Sequence, residues 1–329
     1  EYCSENMPLY NPVSVSGYHI REAGSTAAQE LAFTLNNGFA YIEECLERGL
    51  KIDNFAHRLS FFFNAHMDFF EEIAKYRAAR RIWANRLKNQ YGAKNESSLK
   101  LKFHTQTAGC SLTAQQPENN IVRTALEAMS AVLGGTNSLH TNSLDETLAL
   151  PSEKAAKIAL RTQQIIAFET GVPNVADPLG GSWYIEELTD KLEKQALKYF
   201  DEIHEMGGTV QAIEDGYFQK KIAESASIYQ ESVDSKERII VGVNDFIEQD
   251  EELDIEILKI SRDAQDTQEH KIKTLRKNRD EKILQEKMKK LSDACKNDLN
   301  LVPFLIEVAE QGGTVGEIVE VMKKVYGEW

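Results

Sequence analysis

Arg58-Leu59-Ser60-Phe61-Phe62-Phe63 is a short run of aromatic and aliphatic residues, and it hands over within a few positions to a stretch in which Met67, Phe70, Ile73, Ala74, Ile82 and Trp83 keep near-helical spacing along one face. A strand-like run followed by an amphipathic helix is the unit from which parallel sheets are built. The same hand-over occurs upstream at Val13-Ser14-Val15-Ser16-Gly17-Tyr18-His19, and downstream at Leu99-Lys100-Leu101-Lys102-Phe103-His104 and Asn137-Ser138-Leu139-His140. The runs start at 13, 58, 99 and 137, so the steps between them are 45, 41 and 38 residues. A (β/α)8 barrel spends roughly 250 residues on eight such units. The spacing therefore predicts an α/β fold in which residues 1–175 form half of such a barrel, four parallel strands with helices outside.

The intervening helices carry their own punctuation. Gly92 is a stop for the helix after the second run. Pro117 suits the first turn of a helix that continues through Ile121, Ala125, Ala128 and Met129 to Gly134-Gly135. Ser152 is placed to cap a helix from Glu153 to about Glu169, closed by Gly171 and Pro173. Beyond residue 175 the character changes: Asp177-Pro178-Leu179-Gly180-Gly181 marks a turn-rich junction, and the Glu- and Lys-rich sequence after it predicts a mainly helical extension over 176–329. From Asp263 to Lys296 a thin stripe of Ile272, Leu275, Ile283, Leu284, Met288 and Leu291 predicts one surface helix, and not a coiled coil, because the stripe holds no strict heptad.

With 329 residues, 42% of them hydrophobic, the chain can bury a sizeable core. A net charge of −14 and a pI near 5.1 exclude a sequence-independent hold on nucleic acid or on an anionic membrane, while leaving open a local basic pocket for a phosphorylated ligand. Cys3, Cys45, Cys110 and Cys295 stand far apart with no C-x-x-C spacing, which reads as thiols of a cytoplasmic protein and not as a disulfide framework or zinc site. No apolar run approaches the roughly 18 to 20 residues needed to span a bilayer, and no signal-peptide pattern opens the chain. The first residue is Glu1 and a strand-like run follows almost at once, as expected if a domain is divided ahead of it.

Chemistry in a (β/α)8 barrel sits at the C-terminal ends of the strands. His19, His104 and His140 occupy the ends of three runs, and His66 follows the second closely. A hydrogen-bonded structural histidine is the ordinary reading of each one alone; their grouping favours a functional reading of the set. A metal centre would need convergent ligands, and neither an H-E-x-x-H nor a recognised spacing among Glu22, Asp145 and Glu146 supplies them. Leu133-Gly134-Gly135-Thr136 and Pro178-Leu179-Gly180-Gly181 are neither a P-loop nor a dinucleotide fingerprint, and read as turns.

At these same clusters the chain resembles the methylmalonyl-CoA mutase family, which includes the isobutyryl-CoA and 2-hydroxyisobutyryl-CoA mutases. Ser16-Gly17-Tyr18-His19-Ile20-Arg21-Glu22-Ala23-Gly24 is similar to the family's S-G-Y-H-x-x-E-A-G motif. Arg58-Leu59-Ser60-Phe61-Phe62, His104-Thr105-Gln106-Thr107-Ala108-Gly109, Gln116-Pro117-Glu118-Asn119-Asn120-Ile121-Val122-Arg123 and Ser138-Leu139-His140-Thr141-Asn142-Ser143-Leu144-Asp145-Glu146 follow in the family's order. The likeness runs on through Val241-Gly242-Val243-Asn244 to Thr314-Val315-Gly316-Glu317-Ile318.

The resemblance implies an adenosylcobalamin-dependent radical isomerase of acyl-CoA thioesters, interconverting methylmalonyl-CoA and succinyl-CoA, with an isobutyryl-CoA or 2-hydroxyisobutyryl-CoA mutase large subunit, or a non-catalytic interaction subunit, as alternatives. It implies that His19 hydrogen-bonds the thioester carbonyl while Tyr18 closes over the acyl group. Arg58, Leu59, Ser60, Lys102 and His104 are implied to hold the CoA part, with Lys102 standing where the family often has arginine. Glu22, Gln106, Asn142 and Glu146 are implied to face the cofactor, Glu146 toward its adenosyl ribose, and no residue of the chain is implied to ligate the cobalt. Cys110 and Phe63 stand where relatives carry tryptophan, Asn137 where they carry glutamine and His57 where proline is common, departures that point to the two-subunit mutases. The family's first four strands are then expected before Glu1. The D-x-H-x-x-G cobalamin module is expected on a separate small subunit, with the whole forming a hetero-oligomer.

Overall fold

The computed structural model describes residues 2–7, 9–248, 255, 257, 258 and 261–328. In chain order it contains α1 (Tyr2–Asn6), β1 (Val13–Ser16), α2 (Tyr18–Glu22), α3 (Ala27–Glu47), α4 (Ile52–Phe55), β2 (Leu59–Ala65), α5 (Phe69–Asn89), α6 (Glu96–Leu99), β3 (Phe103–Thr107), α7 (Asn119–Leu133), β4 (Ser138–His140) and α8 (Glu153–Glu169). There follow α9 (Trp183–Glu205), α10 (Thr209–Glu214), α11 (Tyr217–Asp234), α12 (Arg262–Asn278), α13 (Glu281–Lys296), α14 (Val302–Glu310) and α15 (Val315–Tyr326). Among the described residues no helix is long and apolar enough to cross a membrane.

Each of the four runs contributes a strand, all parallel, in the order β1-β2-β3-β4, with Ser16 opposite Phe62, Phe62 opposite His104 and Gln106 opposite His140; the third starts later than expected, since Leu99 closes α6 and β3 begins at Phe103. Because successive residues of a strand face opposite sides, Val15, Leu59, Phe61, Phe63 and Phe103 all turn to one face and are buried. Helices cover that face: Phe61 meets Trp83 of α5 edge-on at 5.0 Å, and Trp83 stacks on Phe39 of α3 at 5.7 Å. Two of the expected helix ends hold, while Pro117, expected inside the first turn of α7, lies just ahead of its N-cap Glu118. Ser152 caps α8 by accepting from Ala155 N at 3.2 Å, and α7 stops at Gly134.

The described residues of 9–258 form one compact unit, and those of 261–328 with 2–7 form a second. Residues 176–248 therefore belong to the body that carries the sheet: α9 packs across α3 and α5, burying Leu192, Ala196, Phe200 and Ile203. The junction at 175 marks the end of the strand-and-helix repeats, not an edge of this body.

The single surface helix expected from Asp263 to Lys296 is two helices. Asp280 interrupts it, its Oδ1 accepting from Lys282 N at 2.9 Å and Ile283 N at 3.1 Å as the cap of α13. Arg279 is drawn out of the helical line to pair with Glu317 through two bonds of 2.8 and 2.7 Å. Nor is the stripe all surface: Leu284, Met288, Leu291 and Cys295 are buried with Val308 as the core of the smaller unit.

Candidate active site

The sheet's second face carries different chemistry. Alternation brings Ser16, Ser60, Phe62, His104, Gln106, Ser138 and His140 to it, and none of them is fully buried. Parallel strands are usually apolar on both faces because both are covered by helices. A half-exposed face of serine, histidine and glutamine is suited to a polar occupant.

At the C-terminal ends the side chains converge. Gln106 donates both Nε2 hydrogens, one to Tyr18 Oη at 2.9 Å and one to Asn142 Oδ1 at 2.8 Å. Asn142 is fixed by β3, donating from Nδ2 to Thr107 O and from its backbone N–H to Thr107 Oγ1, both at 2.9 Å. Tyr18 stacks on Phe62 at 5.1 Å, and Phe62 meets His104 edge-on at 4.9 Å. Glu22 lies behind this row and accepts from Asn64 Nδ2 at 2.7 Å, Gly109 N at 3.0 Å and Cys110 N at 2.9 Å. His19 is exposed beside Tyr18, with its Nδ1 3.3 Å from Ser16 Oγ.

The local fold that makes this row is an early stop. β1 ends at Ser16, and Gly17 starts the helical turn that presents Tyr18, His19 and Glu22. Gly17 is needed for closeness: a Cβ there would lie 1.9 Å from Thr34 Oγ1 of α3.

The electrostatics keep the row neutral where it touches the open face. Burial, reinforced by Glu22, pushes the Tyr18 phenol well above its ordinary range, so it stays protonated. Burial, then His140, lowers His104, whose Nδ1 lies 2.7 Å from Ser138 Oγ. The Cys110 thiol is pushed up to about 12, by burial first and Glu22 second. Glu146 sits at the exposed rim near His140, and partial burial raises its carboxyl above the usual range while His140 opposes the shift.

The other sequence-derived residues lie at the opposite end of the strands. Arg58 closes the short turn before β2, its Nε is buried without a hydrogen-bond partner, and no ion pair engages it among the described residues. Lys102 precedes β3, is exposed, and donates to His57 O at 3.0 Å. Ser60 Oγ donates to Val13 O at 3.2 Å. Leu59, expected with these, turns its side chain into the helix-side core, since it alternates with Ser60; only its backbone remains available to the open face.

One site residue, Asn64, escaped the sequence reading. It is buried under Glu22, and an amide inside the otherwise apolar Phe61-Phe62-Phe63-Asn64-Ala65 was the available signal. His66, already grouped in the sequence with the strand-end histidines, lines a separate polar cavity of about 660 Å³ with Arg21, Ser25, Glu71, Tyr229 and Arg238. Its Nδ1 accepts from Met67 N at 2.8 Å, and burial, then Arg21, lowers its pKa to about 3.

Comparison with known proteins adds to this geometry. The methylmalonyl-CoA mutase family model matches residues 1–328. The chain is 46% identical over 329 residues to the 2-hydroxyisobutanoyl-CoA mutase large subunit of Aquincola tertiaricarbonis, covering 100% of this chain and 58% of that one. It is 46% identical over 330 residues to the mitochondrial methylmalonyl-CoA mutase of Homo sapiens, covering 100% of this chain and 44% of that one. Against the methylmalonyl-CoA mutase of Rhizobium meliloti (strain 1021) the identity is 46% over 331 residues, covering 100% and 46%. The chain thus spans about half the length of the curated relatives it matches.

Proposed function

Since this chain belongs to the methylmalonyl-CoA mutase family, we propose that it is the C-terminal half of the (β/α)8 catalytic barrel of a cytoplasmic, adenosylcobalamin-dependent acyl-CoA mutase that interconverts methylmalonyl-CoA and succinyl-CoA. In this reading residues 1–175 are the half-barrel and 176–329 its helical extension. The complete enzyme adds an N-terminal half-barrel and a cobalamin-binding subunit, as a hetero-oligomer. The observation that carries the reading is the open inner face. It runs from Arg58, which has no ion pair among the described residues, at one end of the strands to the Tyr18–Gln106–Asn142 row and exposed His19 at the other.

Each end suits its proposed ligand. Arg58, which has no ion pair among the described residues, would offer its guanidinium, and Lys102 its exposed ammonium, to the phosphates of CoA. In the tautomer in which the Ser16 hydroxyl, 3.3 Å away, donates to Nδ1, His19 carries its proton on Nε2 and would serve as a donor to a thioester carbonyl that gains charge as the acyl group migrates. Tyr18, held neutral, covers the acyl group without ionising. The cofactor-facing set fits the amide and hydroxyl periphery of adenosylcobalamin: Gln106 uses both Nε2 hydrogens on the protein and leaves Oε1 to accept, and Glu146 at the rim can accept from a ribose hydroxyl. When bound, that cofactor supplies radical chemistry through homolysis of its cobalt–carbon bond.

The test is turnover by the complete enzyme, this chain within its full-length polypeptide, with the cobalamin subunit and adenosylcobalamin, on methylmalonyl-CoA, isobutyryl-CoA and 2-hydroxyisobutyryl-CoA. Exchange between methylmalonyl-CoA and succinyl-CoA is expected. A second reading, one of the two-subunit mutases, is favoured by Phe63, Cys110, Asn137 and His57; preference for either branched substrate would select it. No turnover of any of the three would leave a non-catalytic interaction subunit.

A further inference from the structure

Asn64 stands where β2 has outrun its neighbour. In β2, Phe61 and Ala65 bond toward β3, through Phe61 N to Lys102 O and Ala108 N to Ala65 O, while Phe62 O faces β1 and accepts from Gly17 N at 2.8 Å. The next backbone pair on the β1 side belongs to Asn64, and β1 has already ended. A buried N–H and C=O cannot be left without partners. Three side chains from the helix side take the place of the missing strand: Glu30 Oε1 accepts from Asn64 N at 2.7 Å, and Asn64 O accepts from Lys75 Nζ at 2.8 Å and Tyr76 Oη at 2.5 Å.

Those side chains are themselves an uncommon arrangement. Glu30, Glu72 and Lys75 are all 0% exposed, and Lys75 pairs with both carboxylates, at 2.5 Å with Glu30. Burial pushes the Glu30 carboxyl up to about 7, with Lys75 opposing the shift. Arg21, on the turn that presents Tyr18 and Glu22, lies 4.0 Å from Glu30 and 3.9 Å from Glu72. For stability alone, a buried cluster of this kind is often matched by well-packed apolar residues. Its position is more informative: it grips the peptide of Asn64, whose side chain reaches Glu22.

We infer that Asn64 is a positioning residue for the active site, its peptide clamped by Glu30, Lys75 and Tyr76 so that its amide holds Glu22, which in turn sets the Gly109-Cys110 loop against the turn carrying Tyr18 and His19. Glu22 is the bridge, bonding to β2 on one oxygen and to both loop amides. Gly109 has little slack: a Cβ there would lie 3.0 Å from Glu22 Oε2, 3.3 Å from Asn142 Nδ2 and 3.4 Å from Tyr18 Oη. Displacement of Glu22 therefore reaches both Tyr18 and Asn142. The inference rests on the mutase reading for its effect on turnover, but not for its effect on the loop.

The experiment uses the complete enzyme and two readouts, hydrogen exchange of the Gly109 and Cys110 amides and steady-state kinetics. Asn64→Ala removes the arm to Glu22 and keeps the clamped peptide. It should speed exchange at those two amides by about tenfold and lower kcat by about as much, with KM for the acyl-CoA nearly unchanged. Asn64→Asp keeps the size but sets a carboxylate against Glu22, and should loosen the two amides at least as far. If Asn64 served only to fill space, the Asp variant would resemble wild type. The double variant Glu30→Gln with Lys75→Met, which leaves no buried charge on either residue, should loosen the same amides through the peptide. Unchanged exchange at Gly109 and Cys110 in Asn64→Ala, or acceleration spread evenly over residues 9–248, overturns the inference. A wild-type enzyme that turns over no acyl-CoA while its Asn64 variants still loosen the loop overturns the mutase reading instead.

Discussion

The two faces of the four-stranded sheet are built from the same strands and obey opposite rules. On the helix side Phe61, Phe63 and Phe103 interlock with Trp83, Tyr76 and Phe39, all at most 2% exposed. On the open side the alternate residues are serine, histidine and glutamine with one phenylalanine, Phe62, and His104 meets Ser138 while Gln106 bonds Tyr18 and Asn142 with Oε1 to spare. Stability is thus concentrated on one face and chemistry on the other, and period-two alternation keeps the two apart.

The largest expected effect is on the helix side. Trp83→Ala would remove a side chain packed on Phe39 and Phe61 and strand the carbonyl of Ser98, to which its indole donates at 3.1 Å. A loss of about 3 to 5 kcal/mol in denaturant unfolding is expected, whereas Phe62→Ala on the open face should cost clearly less. Comparable losses would mean that the open face is also a core.

Next comes a pair on the open face itself. His19→Ala should leave unfolding unaltered and lower kcat by about 10² to 10³, the effect of deleting one oxyanion-type donor, roughly 2.7 to 4 kcal/mol. Arg58→Ala should act mainly on KM for the CoA ester, since a phosphate contact is made equally in ground and transition states. Near-normal kcat in His19→Ala with the correct substrate would remove the central role given to that residue.

The smallest effect is expected where β2 leaves the sheet. His66 has a folded pKa lowered to about 3, below the ordinary value of 6.5, so the unfolded chain takes up a proton that the folded one refuses. Its contribution to stability is present above about pH 6.5 and is lost as pH falls toward 3. At pH 5.5 the loss is about 1.4 kcal/mol at most. Urea midpoints at pH 7.5 and 5.5 should show this drop in wild type and a smaller one in His66→Asn.

Much of this is legible in the amino-acid sequence, for local reasons. The strands announce themselves by composition, Ser152 by its place ahead of an amphipathic run, and His19, His104 and His140 by closing successive strands, whereas Tyr18, Gln106 and Asn142 are reached only through the family resemblance. What escaped reading depends on distant partners. Lys75 looks like one charge on a solvated helix face until α5 is seen pressed between the sheet and α9, where Glu72 through Tyr76 are all buried. Glu30, set in Ala27-Ala28-Gln29-Glu30-Leu31-Ala32-Phe33, was a carboxylate whose apolar surroundings could have betrayed it. The break at Asp280 likewise depends on Glu317, 38 residues from Arg279.

That last pairing has a consequence for how the smaller unit comes apart. The helices α13, α14 and α15 have 16, 9 and 12 residues, lengths at which an isolated helix in water is marginal. Arg279, 7% exposed, holds Gly312 O and both oxygens of Glu317, and Glu317 also closes the capping box of α15 with Thr314. The start of α15 is therefore tied to the residue just ahead of α13, and neither can fray without opening the other. Three helices that could not persist singly share one lifetime.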